Sequence, residues 1–286
     1  MTPKLPPLAE VLDLVPDAVC VVDADGRFLF VSASFQRIFG YVPAEVLGRQ
    51  AFELVHPEDR AATREQAALV MAGTLQRHFR NRYIHKDGRT VDIQWSARWL
   101  PEHGVRVAVG HEVTELRRAE RELERLATQD ALTGLPNRHR LEQELHRAIA
   151  HATRSGDGLA LLYIDLDGFK AVNDRGGHGT GDRLLREVAH RLQQGLRQGD
   201  FVARVGGDEF VALLPGCRDV AAVRVVADGL EERVQHLYAL PDGVYKLAVS
   251  VGIACFPTHG EDAAALLAHA DAAMFDAKRA PRRARR

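Results

Sequence analysis

The tract Arg204-Val205-Gly206-Gly207-Asp208-Glu209-Phe210 constrains this chain more than any other. Phe201, Val202 and Ala203 precede it, and Val211, Ala212, Leu213 and Leu214 follow it. Two apolar runs that meet at a pair of glycines predict a tight β-hairpin. The turn carries adjacent carboxylates, Asp208 and Glu209, and its glycines leave the backbone open to close approach by a ligand. A bare turn presenting acids suits a divalent metal held over a phosphate.

A second acidic cluster lies upstream. Ala160-Leu161-Leu162-Tyr163-Ile164 reads as a buried strand and ends in Asp165-Leu166-Asp167-Gly168-Phe169-Lys170. Alternation puts Asp165 and Asp167 on one face and Leu166 on the other. If this strand lies beside the hairpin, Asp165, Asp208 and Glu209 converge. Three ionised carboxylates need a cation between them. Mg²⁺ takes few protein carboxylates and fills its octahedron with phosphate oxygens, the arrangement of two-metal nucleotidyl transfer. For either tract alone, a surface turn rich in Asp and Gly is the alternative.

Further motifs follow the same order. Asp130-Ala131-Leu132-Thr133-Gly134-Leu135-Pro136-Asn137-Arg138 opens the region, and Asn173 to Asp182 forms a glycine-rich stretch. Ser250-Val251-Gly252-Ile253-Ala254 and Ala270 to Lys278 close it. Together these tracts resemble the GGDEF family, the diguanylate cyclases. The resemblance implies a palm-like α/β domain that condenses two GTP into cyclic di-GMP. It implies two Mg²⁺ per site, or Mn²⁺, held by Asp165, Glu209, Asp208 and the Leu166 carbonyl. Asp208 either ligates metal or helps deprotonate the attacking 3′-hydroxyl. Asn173 and Asp182 match a guanine-reading pair, and a carboxylate can accept from guanine N1–H and the exocyclic amine. Helix capping is the alternative for both. Lys170, Lys278 and Arg282 match phosphate contacts, and the N–H groups around Gly168 and Phe169, at a predicted helix start, suit β- and γ-phosphates.

Five residues separate Gly206 from the Arg197-Gln198-Gly199-Asp200 segment. It resembles the family's inhibitory product site, with Arg197 gripping product phosphate or a guanine edge and Asp200 accepting from guanine. An exposed ion pair of little energetic weight is the alternative. The C-terminus departs from the family pattern. Pro281 stands where a glycine is usual, and no strand-forming run follows Lys278. This puts the placement of Arg282 in question and predicts an uncovered sheet edge and a solvated arginine tail.

At 286 residues the chain has room for two domains. A net charge of −1 gives no argument for DNA binding. Cys20, Cys217 and Cys255 lack metal spacing and read as small core residues. No run is long and apolar enough for a membrane span and no signal peptide is evident, so a cytoplasmic protein is expected.

Residues 16–114 have another texture. Ala18 to Val22 and Phe28 to Val31 flank Asp23-Ala24-Asp25-Gly26, a hairpin signal, and short helical pieces follow at Ser34 to Phe39 and Pro43 to Leu47. Val91, Ile93, Trp95, Ala97 and Trp99 alternate along a strand, and Val105, Val107 and Val109 do likewise. With His56-Pro57-Glu58-Asp59-Arg60, the Lys86-Asp87-Gly88 turn and the Gly110-His111-Glu112-Val113-Thr114 exit, this stretch resembles a PAS domain. The helix after Asp59 has no histidine for haem, and no flavin-binding cysteine motif is present, so neither cofactor is supported. His56 and His85 sit at turns and read as solvated. Trp95 and Trp99 either fill the core or close a ligand pocket.

The fold expected is mixed α/β: a PAS antiparallel sheet with short helices over 1–114, a linker helix over 115–129, and a palm-like domain with a central sheet flanked by helices over 130–286. Leu116, Ala119, Leu123 and Leu126 give the linker a narrow apolar seam, for a parallel homodimer or for packing on its own PAS domain. The function expected is a PAS-regulated, product-inhibited diguanylate cyclase. The alternative is a non-enzymatic receptor for GTP or cyclic di-GMP.

Overall fold

A computed structural model describes residues 6–279; Pro281 and Arg282, with the expectations attached to them, lie outside the described residues. The chain divides into two compact units at Arg121/Glu122.

The first unit contains α1 (Leu8–Leu14), β1 (Ala18–Asp23), β2 (Phe28–Val31), α2 (Ala33–Phe39), α3 (Pro43–Val46), α4 (Arg60–Met71), β3 (Gln76–Ile84), β4 (Thr90–Leu100) and β5 (Val105–Glu112). Its five strands form one antiparallel sheet in the order β2-β1-β5-β4-β3. Val91, Ile93 and Trp95 are buried and Ala97 and Trp99 half-buried, as the alternation of β4 predicts. Phe35 and Phe39 of α2 pack on this face, with Phe39 against both Tyr83 and Trp95.

The valines of β5 correct the sequence reading. Val109 is 36% exposed, whereas Ala108 and Gly110 are buried and Arg106 shares their face. Gly110 stands opposite Trp95, and a Cβ there would lie 2.7 Å from the indole. The indole therefore needs glycine on the inner face, and a period of two turns the valines outward. His85 is a second correction. Its side chain is 14% exposed, and its ring fills the space where Gly40, at φ 80°, has no Cβ. His56 keeps the turn position, its Nδ1 accepting from the Glu58 N–H. The three cysteines are free; Cys20 and Cys255 are buried, but Cys217 only half so.

The linker forms α5 (Thr114–Thr128). Its predicted seam is open: Leu116, Leu123 and Leu126 are 54%, 67% and 54% exposed, and Ala119 is exposed with them. Packing of that seam on the helix's own chain is not seen among the described residues.

The second unit contains α6 (Arg138–Ser155), β6 (Leu159–Asp167), α7 (Phe169–Gly176), α8 (His178–Gly195), β7 (Phe201–Arg204), β8 (Glu209–Pro215), α9 (Val220–Gln235), β9 (Tyr238–Leu240), β10 (Gly243–Tyr245), β11 (Ala248–Phe256) and α10 (Ala263–Arg279). Four strands form an antiparallel sheet in the order β11-β6-β8-β7. Central β6 is buried on both faces, which is why its sequence is a continuous apolar run rather than an alternating one. Leu184, Leu185, Val188 and Leu192 of α8 and Val223 and Leu230 of α9 cover one face. Leu141 and Leu145 of α6 and Leu266, Ala270 and Met274 of α10 cover the other. The small β9–β10 ribbon buries Tyr238 and Tyr245 against the first of these cores.

Gly252 fixes where α10 runs. A Cβ there would lie 1.9 Å from the Ala270 carbonyl oxygen and 2.3 Å from the Met274 nitrogen. Helix backbone thus rests directly on strand backbone, and Lys278 follows Met274 by one helical turn. Gly252→Val should cost about 3 kcal/mol, since the clash is with backbone that cannot rotate away. A urea-unfolding midpoint equal to wild type would show that the helix shifts at little cost.

Candidate active site

Strand register assembles the acidic site. In the β6–β8 ladder Asp165 stands directly opposite Glu209, and the Leu166 N–H donates to the Asp208 carbonyl oxygen at 3.2 Å. The two predicted acidic tracts therefore meet at one end of the sheet. Apolar residues on both faces fix this register, because a one-residue slip would turn every β6 side chain over. Leu166 points into the core with Ala160, Leu162 and Ile164, while Asp165 and Asp167 share the opposite face, as alternation requires.

The carboxylates sit in different surroundings. Asp165 is buried and pairs with Lys278 Nζ at 2.6 Å. Asp208 is half-buried beside it. Burial, then the Asp165 charge, raises the Asp208 carboxyl above its ordinary range. Glu209 accepts from the Tyr163 hydroxyl at 3.3 Å, and Gly206 leaves room for it: a Cβ there would stand 2.8 Å from Glu209 Oε2. Asp167 accepts from the Ser250 hydroxyl at 2.9 and 3.1 Å. Hard oxygen donors under mutual repulsion fit a divalent cation such as Mg²⁺. Among the described residues no three or more His, Cys, Asp or Glu side chains are gathered into a ready cage.

Lys278, which the resemblance assigns to phosphate, has a protein partner in this structure. It lies on Asp165, because a buried carboxylate requires a cation and Lys278 is the one that α10 delivers. The bond to Asp165 in turn raises the Lys278 pKa.

The hairpin turn has its own anchor. Arg204 donates to the Gly207 carbonyl from Nε (3.1 Å) and Nη2 (2.7 Å), and from Nη1 to both Asp130 oxygens at 2.9 and 3.1 Å. Asp130 also accepts from the Thr133 N–H and hydroxyl. The opening tract of the region is thereby tied to the acidic turn. A partnership across 74 positions has no periodicity to betray it; the only sequence signal was the co-occurrence of the two tracts.

Asn173 and Asp182, the two residues expected to read guanine, lie on two adjoining helices. Gly168, at φ 84°, caps α7 and is exposed, and Phe169 begins the helix half-buried. The first N–H groups of a helix lack intrahelical partners. Lys170 is exposed on its first turn. Asn173 lies inside α7 and Asp182 inside α8, so neither caps a helix; Gly177 occupies the cap of α8. A Cβ on Gly181 would sit 1.9 Å from Asn173 Oδ1, so the α8 backbone passes against the Asn173 amide and brings exposed Asp182 beside it.

Arg197 donates to Asp200 from Nε at 3.2 Å, to the Pro215 carbonyl at 2.8 Å, and from its backbone N–H to Asp200. The Asp200 side chain is 4% exposed and that of Arg197 64%, so a covered carboxylate holds an open guanidinium.

Asp130 gives a test of the anchor. Burial opposes its ionisation, but the bonds from Thr133 and Arg204 outweigh it and hold its pKa below the ordinary 3.8. A depressed folded pKa stabilises fully above the unfolded value and is lost as pH falls through the folded one. Asp130→Asn should therefore be less stable than wild type at neutral pH, with the gap in urea midpoint closing only below pH 3.8. A gap independent of pH would remove the carboxylate from the anchor.

A family model described as "Diguanylate cyclase, GGDEF domain" matches residues 127–284, and one described as "PAS fold" matches residues 8–108. The bifunctional diguanylate cyclase/cyclic di-GMP phosphodiesterase MucR of Pseudomonas aeruginosa is 46% identical over 165 residues, covering 58% of this chain and 24% of MucR. Diguanylate cyclase TpbB of the same species is 44% identical over 161 residues, covering 56% of this chain and 37% of TpbB. The chain thus spans well under half the length of either curated relative. A crystallised sensory box/GGDEF family protein from Caulobacter crescentus superposes with a TM-score of 0.51 at 40% identity, over 53% of this chain and 98% of that one.

Proposed function

Since the chain belongs to the GGDEF family and carries a PAS domain ahead of that region, we propose that it is a cytoplasmic diguanylate cyclase regulated by its PAS domain and by its own product. The observation that carries this reading is the register placing Asp165 opposite Glu209 with Asp208 beside them. Among the described residues no helix is long and apolar enough to cross a membrane.

Asp165, Asp208, Glu209 and the Leu166 carbonyl would hold two Mg²⁺ or Mn²⁺ ions. When bound, these supply charge neutralisation at the α-phosphates and lower the cost of forming a 3′-alkoxide. Asn173 and Asp182 select guanine by accepting and donating along its Watson–Crick edge. Lys170 and the N–H groups at Gly168 and Phe169 hold the β- and γ-phosphates. Lys278 moves between Asp165 and phosphate, and Arg282 is assigned to phosphate by motif alone. Each 3′-oxygen attacks the α-phosphorus of the other GTP; the P–O bond to pyrophosphate breaks and the hydroxyl proton passes to Asp208 or solvent. Two such steps give one cyclic di-GMP and two pyrophosphates.

One domain holds one GTP, so two must face each other about a two-fold axis. The open seam of α5 supports a parallel homodimer, and pairing of PAS domains raises the local concentration of the catalytic domains. No acidic or basic excess favours DNA as a partner.

Incubation of the purified chain with GTP and Mg²⁺, followed by nucleotide chromatography, tests the reading. Wild type should form cyclic di-GMP, and Glu209→Ala should lose about a thousandfold or more of that rate. No product from a folded, GTP-binding wild type would favour the receptor instead. Separately, Arg197→Ala should keep the initial rate while cyclic di-GMP inhibits it about tenfold less. Unchanged inhibition would leave Arg197 and Asp200 as a surface ion pair.

A further inference from the structure

The joint between α7 and α8 has Asn173 on one side and Asp182 on the other, and it is built of glycine. Gly176, Gly177, Gly179 and Gly181 fall within six positions. Gly177 turns the chain at φ 77°. Such a joint has little stiffness of its own. Two side chains that are to meet one flat base need placing to within about 0.5 Å, so something outside the joint has to hold it.

The β9–β10 ribbon supplies that hold from 62 positions away, through Asp242 in its turn. The Thr180 hydroxyl, wholly buried in the first turn of α8, donates to Asp242 Oδ2 and to the Gly176 carbonyl at 2.7 Å, sharing one proton between two acceptors. The Tyr245 hydroxyl donates to the same Asp242 oxygen at 3.2 Å. Arg183 donates to Thr180 Oγ1 at 3.3 Å and stands 3.8 Å from the other Asp242 oxygen. Thr180 and Arg183 are neighbours on one face of α8, and they bracket Asp182 in the chain.

Helix α7 is held at the same point. A Cβ on Gly176 would stand 2.7 Å from the Tyr245 hydroxyl oxygen and 2.8 Å from Thr180 Cγ2, so its bare backbone passes close against both. The Arg175 guanidinium lies over the Tyr245 ring at 5.3 Å. Asn173 sits one turn before the joint, its carbonyl accepting from the Gly177 N–H at 2.8 Å. The Thr180 hydroxyl foremost, with Tyr245 and Arg183 behind it, holds the Asp242 carboxyl below its ordinary range. It is therefore ionised at neutral pH and acts only as an acceptor. Local turn chemistry favours aspartate at such a position on its own, but it does not call for a carboxylate that closes on another element.

We propose that Asp242 is a positioning residue that sets nucleobase specificity. By closing on Thr180 and Arg183 it fixes α8 against the end of α7, and with it the separation at which Asn173 and Asp182 meet a single guanine. The inference rests on the reading of those two residues as the guanine pair. The ribbon then contributes to base selection without touching the base. An Asp242 that served stability alone would affect all nucleotides alike; a positioning one affects the bonds that only guanine makes.

Titration calorimetry of the full chain, with Mg²⁺ and nucleotides that cannot cyclise, tests it. 3′-Deoxy-GTP lacks the attacking hydroxyl, and 3′-deoxy-ITP lacks the exocyclic amine as well. Wild type should bind the first about tenfold more tightly, the weight of one hydrogen bond to a charged acceptor. Asp242→Ala should bring that preference below about threefold, whereas Asp242→Asn, which still offers one oxygen to both hydroxyls, should keep it. Thr180→Val, of nearly the same size without the hydroxyl, should lose the preference as Asp242→Ala does, and it decides the matter if the alanine variant fails to fold. A wild type that binds both nucleotides equally would remove the guanine pair and this inference with it. A wild type that prefers guanine, with that preference undiminished in folded Asp242→Ala or Thr180→Val, would overturn the positioning role alone.

Discussion

The antiparallel pairing of β6 with β8 is the constraint from which the acidic site follows. It buries a nine-residue strand on both faces and, in the same act, sets Asp165 against Glu209. The apolar residues that make β6 insoluble in any other register are the ones that aim its acids. Gly206 and Gly207 then close the hairpin without a side chain over Glu209, and Arg204 holds the turn by its carbonyl. Packing and chemistry are not separable here: the core specifies the register, and the register is the site.

Charge sets the second constraint. Asp165 stands opposite Glu209 at one end of a sheet whose interior is apolar, and its charge already raises the Asp208 carboxyl, so positive charge is needed to balance these acids. The fold supplies part of that balance from a distance. Lys278 reaches Asp165 because Gly252 lets α10 lie directly on β11, and Arg204 reaches the turn while pairing with Asp130. A lysine shared between a carboxylate and an incoming phosphate is a coherent device, since the carboxylate is freed for a cation as the lysine leaves it.

Much of this was legible in the sequence, for a definite reason. Elements whose signal is local and strongly periodic were recovered: the β7–β8 hairpin, the run of β6, the inward alternation of β4, and the helix start at Gly168 and Phe169. What failed depended on a partner far along the chain. The valines of β5 face outward because Trp95, on another strand, takes the inner space at Gly110. His85 is covered because Gly40 makes room for it. The Arg204–Asp130 anchor was not foreseen, because its partners lie 74 positions apart. Periodicity reports which face a residue shares; it does not report which face is already full.

The linker completes the argument from energetics. Helix α5 has fifteen residues, about 22 Å of length, and exposes three leucines along a narrow seam. Two heptads of that kind pair only marginally in water. Marginality is useful if catalysis needs two domains to meet, because a strong coiled coil would hold one state against any signal. Moving a two-state pairing from mostly one arrangement to mostly the other takes about 5.5 kcal/mol of differential binding, and less where the two states start nearly balanced. Helix α5 is the covalent path between the units. A weak seam is unfavourable in isolation, but it suits an encounter of two domains that only a modest differential energy has to bias.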